Sequence, residues 1–479
     1  MTFEVPLGGF GTHTLVEATV SVDGETLDVF PVMSGDPLLG DYLAFPDAYP
    51  TAGAVGGHWV QVTATFQVNA AIDITQRIVV RPAMGRPAQE DDTRWRIERT
   101  ACCNVKYLSD SAAGRDLAEL VAVIDASAER VEEHFGLELP RVRFVLIDTL
   151  WGNGGYAGGE VVVSYLDRDY SPGRRSTFQQ TVLHELAHAV TDQLEFSTPW
   201  PLIEGVAVQF TQGHFKPEPL GARAKALSEL GLLPSLEVLF DTFPDMQHET
   251  RYAAVGVFTE YLVQEYGFER LLDMFDSRLR VAGSEWLGAA AAEALDVDLE
   301  GLQTGFLEWV ESHDAGSQAQ DLELTIALQE ARRAYQAAHA PYPNYFLYPS
   351  VTATGQDALA MRDARSPRLV AVEAFIGYAQ DLIIAGDLNA AAAAVDELER
   401  IVTEGTVGSG LSEDFLGVAE AVAAAGYELI EYRPGEDRMI VLATDRAPAL
   451  SLLSLTKQAG EWRVTSAAPA PESTTALGM

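Results

Sequence analysis

The sequence predicts a multidomain α+β chain. An N-terminal antiparallel β-sandwich leads to a central α/β domain and then to a small C-terminal α+β domain. Three observations predict this. At 479 residues the chain exceeds what one core of ordinary size holds. Its first hundred residues alternate apolar and polar positions, whereas the runs from about 115 onward repeat at three and four. Near the end, helical runs precede four short strand-like runs. The expected boundaries are 1–98 for the sandwich, 99–315 for the central domain and 316–345 for a helical linker. An α+β domain over 346–468 and a disordered tail over 469–479 complete the chain.

Taken in order, LVEATVSV and ETLDVFPV flank a DG pair and predict a hairpin. HWVQVTATFQV and AIDITQRIVV alternate as half-buried strands do, PAMGRPAQEDD is a loop, and TRWRIERT resumes an extended pattern. Residues 115–135 predict a helix that Gly136 stops. RVRFVLID and VVVSYL predict strands on either side of the glycine-rich WGNGGYAGGE. A helix is expected over about Arg175–Leu194, another from near Leu202, and a third over RYAAVGVFTEYLVQEY, ended by Gly267. Residues 319–340 predict a polar-faced helix broken by APYPNYFLYPS. Two helices follow, 368–384 and 388–403, the second capped by Asn389, before YELIEYR, DRMIVLATD, ALSLLSLTK and EWRVTS. That closing segment resembles the small cone-shaped domain of the SnoaL and nuclear-transport-factor type.

The net charge of −38 argues against a nucleic-acid partner, because phosphates would find nothing to neutralise them. No run of eighteen apolar residues occurs, so no transmembrane segment is expected. The opening MTFEVPLGGFG lacks a basic segment followed by an apolar one. Localisation stays open: cytoplasmic, or extracytoplasmic or cell-surface if a signal segment was removed. Adjacent Cys102 and Cys103 are expected as reduced, buried thiols, since a bridge between neighbours closes a strained ring.

The chemistry concentrates in TVLHELAHAVTDQLEFSTPWPLIEGVAVQF, residues 181–210. On a helix His184 and His188 point the same way and can offer two imidazole nitrogens to one ion. Glu185 lies round to the side, suited to touch a metal-held water instead. Glu204, heading the next apolar run after a proline-rich turn, supplies a third ligand, and Gly205 beside it permits close packing. Two histidines and one carboxylate leave a position open, as in catalytic rather than structural zinc sites. One zinc per chain is expected. The alternative is a solvated helix carrying two ordinary histidines, but composition alone gives only about 0.02 chance matches to this pattern.

HELAH followed by EG resembles the gluzincin superfamily of zinc metallopeptidases, which includes thermolysin and aminopeptidase N. The run PLIEGVAVQF with RYAAVGVFTEYLVQEYGFERLLDMF is similar to its peptidase-MA-like branch, known mostly from bacterial proteins. The likeness covers about 100–310 and implies a zincin-like catalytic domain. It also implies His184, His188 and Glu204 as zinc ligands and Glu185 as general base. Val208 departs from the thermolysin pattern, which has an aspartate there to orient the first histidine. Asp192 is the candidate to hold His184 instead.

In this superfamily an edge strand before the metal helix pairs with the substrate backbone, which makes Gly154, Gly155, Tyr156 and Ala157 candidate substrate contacts. Glu160 is a candidate for holding an amino terminus. Tyr252, helped by His248 one turn earlier, is the candidate oxyanion donor. His214 is expected to be an ordinary surface or packing histidine. The expected function is zinc-dependent hydrolysis of peptide bonds in a peptide or protein substrate, endo- or exo-cleavage and oligomeric state being undetermined. The alternative is a zinc-bound peptidase fold that binds peptides or proteins without significant turnover. A nucleotide enzyme is disfavoured, because GNGGYAGG has no following lysine and leads into a strand.

Overall fold

The computed structural model describes residues 3–6, 15–22, 25–26, 32–36, 40–45, 56–66, 71–80, 95–109, 111–147, 154–157, 160–171, 177–194, 198–275, 279–339, 366–405, 407, 410–432, 434, 439–444 and 450–470. Residues 1–85 with 343–354 form one compact unit, and 86–342 with 355–479 form the other. PAMGRPAQEDD and APYPNYFLYPS lie outside the described residues, as does the tail from 471.

The first unit contains β1 (Phe3–Pro6), β2 (Leu15–Val22), β3 (Glu25–Thr26), β4 (Val32–Asp36), β5 (Gly40–Phe45), β6 (Gly56–Phe66) and β7 (Ala71–Val80). They make two antiparallel sheets, in the orders β1-β5-β4 and β3-β2-β6-β7. The hairpin around Asp23-Gly24 pairs Val22 with Glu25. The two long alternating runs pair along ten positions, from Gly56 with Val80 to Thr65 with Ala71.

The second unit opens with β8 (Trp95–Arg99), which pairs antiparallel with β9 (Cys103–Leu108). TRWRIERT therefore belongs to the central sheet and not to the N-terminal unit. The turn between them corrects the cysteine reading: Cys102 and Cys103 are bonded to each other. The Asp125 carboxylate accepts from the backbone N–H groups of Ala101 and Cys102 at 3.2 Å each, which holds the two residues in one tight turn. A short α1 (Ala112–Arg115) and α2 (Leu117–Phe135) follow, and Gly136 closes α2 at φ 66°. A left-handed backbone of that kind favours glycine.

Next come β10 (Val142–Ile147), β11 (Gly155–Ala157) and β12 (Val161–Ser164), completing the order β11-β12-β10-β9-β8. β9, β10 and β12 run parallel. Parallel strands are covered on both faces, and the apolar runs of β10 and β12 are accordingly buried along nearly their whole length. β11 is antiparallel to β12 and lies at the sheet edge.

Helices then take over: α3 (Phe178–Thr191), α4 (Trp200–Thr211), α5 (Leu220–Glu229), α6 (Leu236–Thr242), α7 (His248–Tyr266), α8 (Phe268–Phe275), α9 (Gly283–Ala294) and α10 (Leu299–Glu311). Their apolar faces and the sheet share one core. The segment expected as a linker is α11 (Gln318–His339). It is packed, since Leu322 belongs to that core while Leu328 and Tyr335 belong to a second one.

The second core is completed by α12 (Pro367–Ile384), α13 (Leu388–Glu404), α14 (Leu411–Ala424) and a four-stranded antiparallel meander. Its strands are β13 (Glu428–Tyr432), β14 (Met439–Thr444), β15 (Leu450–Gln458) and β16 (Glu461–Pro469). Two expectations are corrected here. Asp387, not Asn389, caps α13, its side chain accepting from the Ala390 N–H. The segment also holds a third helix, α14, that the sequence reading passed over. Arg168, just after β12, pairs with Glu373 on α12 and Glu428 on β13, joining the central sheet to this segment. No helix among the described residues is long and apolar enough to cross a membrane.

Candidate metal centre

α3 carries His184 and His188 one turn apart, and their Nε2 atoms lie 3.2 Å from each other. α4 begins at Trp200-Pro201, where a missing N–H costs nothing. It packs on α3 and brings Glu204 to the pair. One Glu204 oxygen, Oε2, lies 3.3 Å from His184 Nε2 and 3.2 Å from His188 Nε2. Ligand atoms placed tetrahedrally 2.0–2.1 Å from a common zinc are separated by about 3.3 Å. The three donors therefore fit that ion by spacing as well as by type. They are the one such cluster of His, Cys, Asp or Glu among the described residues.

One further Glu204 contact was invisible in the spacing. The Trp200 indole N–H donates to the other carboxylate oxygen, Oε1, at 2.7 Å. Trp200 is itself covered by the Arg251 guanidinium, 5.4 Å from its ring, and by Phe243. A chain of three side chains thus fixes the carboxylate.

Glu185 is 7% exposed and faces the sheet edge. A Cβ built on Gly155 would sit 2.6 Å from Glu185 Oε1 and 2.9 Å from its Cγ. Glycine at this position is what lets β11 pass so close to the carboxylate. Gly154 is buried with φ 95°, and Tyr156 and Ala157 continue the edge strand, half-buried. Glu160 lies just before β12 and is half-buried.

Electrostatics follow from burial and proximity. Burial pushes the Glu185 carboxyl up to about 8, opposed by His188 and reinforced by Glu204. Burial also works against a charged His188, yet attraction to the Glu204 carboxylate overcomes it and lifts the imidazole to about 9. Glu204 is correspondingly held well below the usual carboxylate range. His184 is lowered by burial, which outweighs its hydrogen bond to Glu204. Its Nδ1 has no hydrogen-bond partner among the described residues. Asp192 does not fill that role: it ends α3 and acts electrostatically on His188.

Tyr252 lies in the first turns of α7, 8% exposed, its ring centroid 6.3 Å from that of His184. His248 stacks on it at 4.5 Å. His214, expected from the sequence to be an ordinary surface or packing histidine, lies beside both Tyr252 and His184. Its ring lies parallel to Tyr252 at 4.0 Å and 5.2 Å from His184. Burial, then the charges of His184 and His248, hold it well below the usual imidazole value. The chain reaches this place because α4 ends with Gln212 at φ 53° and Gly213 at φ 135°. The Gln180 amide on α3 donates to the carbonyls of Thr211 and Gly213, clamping the reversal. A GH pair after a helix end was the only available signal.

No family model matches the sequence, and no curated protein does. Among solved structures, the chain is similar to native yeast LTA4 hydrolase at 12% identity and a TM-score of 0.34, over 85% of this chain and 83% of that one. It is also similar to an aminopeptidase N family protein from Idiomarina loihiensis at 10% identity and a TM-score of 0.23, over 97% of this chain and 91% of that one.

Proposed function

We propose that the protein is a zinc metallopeptidase that hydrolyses peptide bonds, with His184, His188 and Glu204 holding the ion. The supporting observation is the convergence of His184 Nε2, His188 Nε2 and Glu204 Oε2 at 3.2–3.3 Å beside a buried glutamate that is not one of the three. A zinc ion there supplies a Lewis acid, an acidified water and a positive charge that favours the ionised form of Glu185.

The chain's own residues do the rest. The substrate backbone lies against β11, the last strand in the sheet order, with Gly154, Gly155, Tyr156 and Ala157 beside it. Gly155 brings that strand against Glu185, which takes a proton from the attacking water and returns it to the leaving amine. Tyr252, supported by His248, donates to the carbonyl oxygen as charge develops there. Glu160, just before β12, holds the substrate amino terminus.

Glu185→Gln tests the reading, because it is nearly isosteric and leaves all three ligands in place. Zinc content by metal analysis is expected to stay near one equivalent per chain, while peptide hydrolysis falls by roughly 10²-fold or more. Wild-type turnover in this variant would remove Glu185 as the base.

A further inference from the structure

Arg251, half-buried in the first turn of α7, has no acidic partner. The chain holds 70 aspartates and glutamates, yet none of them pairs with this guanidinium among the described residues. Instead Nη1 donates to the carbonyls of Phe243 and Pro244, just after α6, at 3.1 and 2.7 Å. The same group stands over three rings: its Cζ lies 5.0 Å from the centroid of Phe243, 5.4 Å from Trp200 and 5.5 Å from Tyr252. A cation within about 6 Å of a ring face is attracted by it. A guanidinium is also weakly hydrated and flat, so it can lie among rings where an ammonium would keep its water. The buried Nε has no hydrogen-bond partner among the described residues. Two carbonyls and three rings hold this charge in place.

Two of those rings belong to the metal centre. The Trp200 indole on α4 donates to Glu204 Oε1 at 2.7 Å. The Tyr252 ring on α7 lies 6.3 Å from that of His184. Phe243 is fully buried and meets both, with its centroid 5.3 Å from Trp200 and 5.8 Å from Tyr252. The guanidinium is thus shared by a side chain that orients a ligand and by one that lies beside another ligand.

We propose that Arg251 is a positioning residue of the metal centre, setting both the indole that orients Glu204 and the ring of Tyr252. It touches none of the three ligands, and it couples α4 to α7 where the two helices face the ion. The Tyr252 half of this inference rests on the peptidase reading; the Glu204 half needs only a bound zinc.

The test uses the full chain with Arg251→Met, which keeps the stem and removes the charge. Zinc affinity is read by competition with a chromophoric chelator, and kcat and KM with a fluorogenic peptide at saturating zinc. Arg251→Met is expected to lose about tenfold in zinc affinity and about tenfold in kcat, with KM within about threefold. Double variants separate positioning from general support of the fold. Added to Trp200→Phe, Arg251→Met is expected to cost less than about twofold further in zinc affinity. Added to Tyr252→Phe, it is expected to cost less than about twofold further in kcat. A side chain that only stabilises the fold costs the same in every background. Should Arg251→Met melt far below the wild type, Arg251→Lys carries the same comparisons, because it keeps the charge and loses the planar fork. Losses that add in full in either background, or wild-type affinity and kcat in a folded Arg251→Met, would overturn the inference. If the wild type cleaves no peptide, the peptidase reading falls. The zinc-affinity comparison needs no turnover and still decides whether Arg251 positions Glu204.

Discussion

Glu204 divides its carboxylate between two tasks: Oε2 faces the histidines and Oε1 accepts from the Trp200 indole. A carboxylate held on one side by a fixed donor has fewer orientations to lose when it binds an ion, so the indole contributes to metal affinity without touching the metal. Trp200→Phe keeps the ring against Phe243 and Arg251 but removes the donor. Zinc affinity, measured by competition with a chromophoric chelator, is expected to fall about 10–100-fold with little change in melting temperature. Unchanged affinity would mean that helix packing alone orients Glu204. The two histidines and the adjacent glutamate were legible in the sequence because a four-residue step on a helix is local geometry. Trp200 is also one turn from Glu204, yet its spacing is shared by many packing pairs and carries no chemical signature. His214 was illegible for a different reason: only the reversal at Gln212-Gly213, clamped from α3, places it beside the ligands.

α4 and α7 lock together by exchanging small for large residues, and this sets the height at which Glu204 meets α3. A Cβ on Gly205 would lie 2.2 Å from Thr259 Oγ1, so Gly205 serves the approach to α7. On the next turn the roles reverse, with Val208 packed where a Cβ on Gly256 would lie 2.3 Å from Val208 Cγ1. Val208 is 1% exposed there, so a carboxylate at this position would be buried against an apolar helix face. Gly256→Ala is expected to destabilise by about 1–3 kcal/mol through overpacking. Adding Val208→Ala should recover part of that loss, a coupling measurable by urea unfolding of the single and double variants. Strict additivity would show that the two residues do not share one space. Hairpins and long helices were readable because their periodicities are local. α14 was not: its buried positions 412, 415, 418, 419 and 422 keep helical spacing, but Gly417 weakens the helical signal, and the reason for that glycine lies elsewhere in the fold. A Cβ there would lie 2.8 Å from Trp462 Cδ1 on β16.

At the scale of the whole molecule, the excess of acid and the buried ion pairs pull stability in opposite directions on acidification. Protonating surface carboxylates relieves the self-repulsion of a chain carrying −38, which favours the compact state. Protonating a buried, paired carboxylate does the reverse. Glu249, at the start of α7, is the informative case. Burial alone would raise it, but the Arg333 guanidinium on α11 binds both its oxygens and holds it well below the usual carboxylate range. His248 adds a neighbour 3.4 Å away, at ion-pair distance without hydrogen-bond geometry. A depressed folded-state value contributes stability that is fully present above the unfolded value and is lost as pH falls below it. Glu249→Gln is therefore expected to lower stability at pH 7 by about 3 kcal/mol, the low end for breaking a buried pair, because Arg333 is a third exposed. The gap between wild type and variant should narrow as pH falls below about 4.5, where the unfolded glutamate takes up its proton. Salt separates the two effects. Raising ionic strength to about 0.5 M screens the surface repulsion in both proteins but scarcely reaches a pair buried between α7 and α11. Parallel thermal melts across pH 3–7 at low and high salt should show a gap that depends on pH and hardly on salt. A gap that is constant with pH would mean that Glu249 acts through packing rather than through its charge.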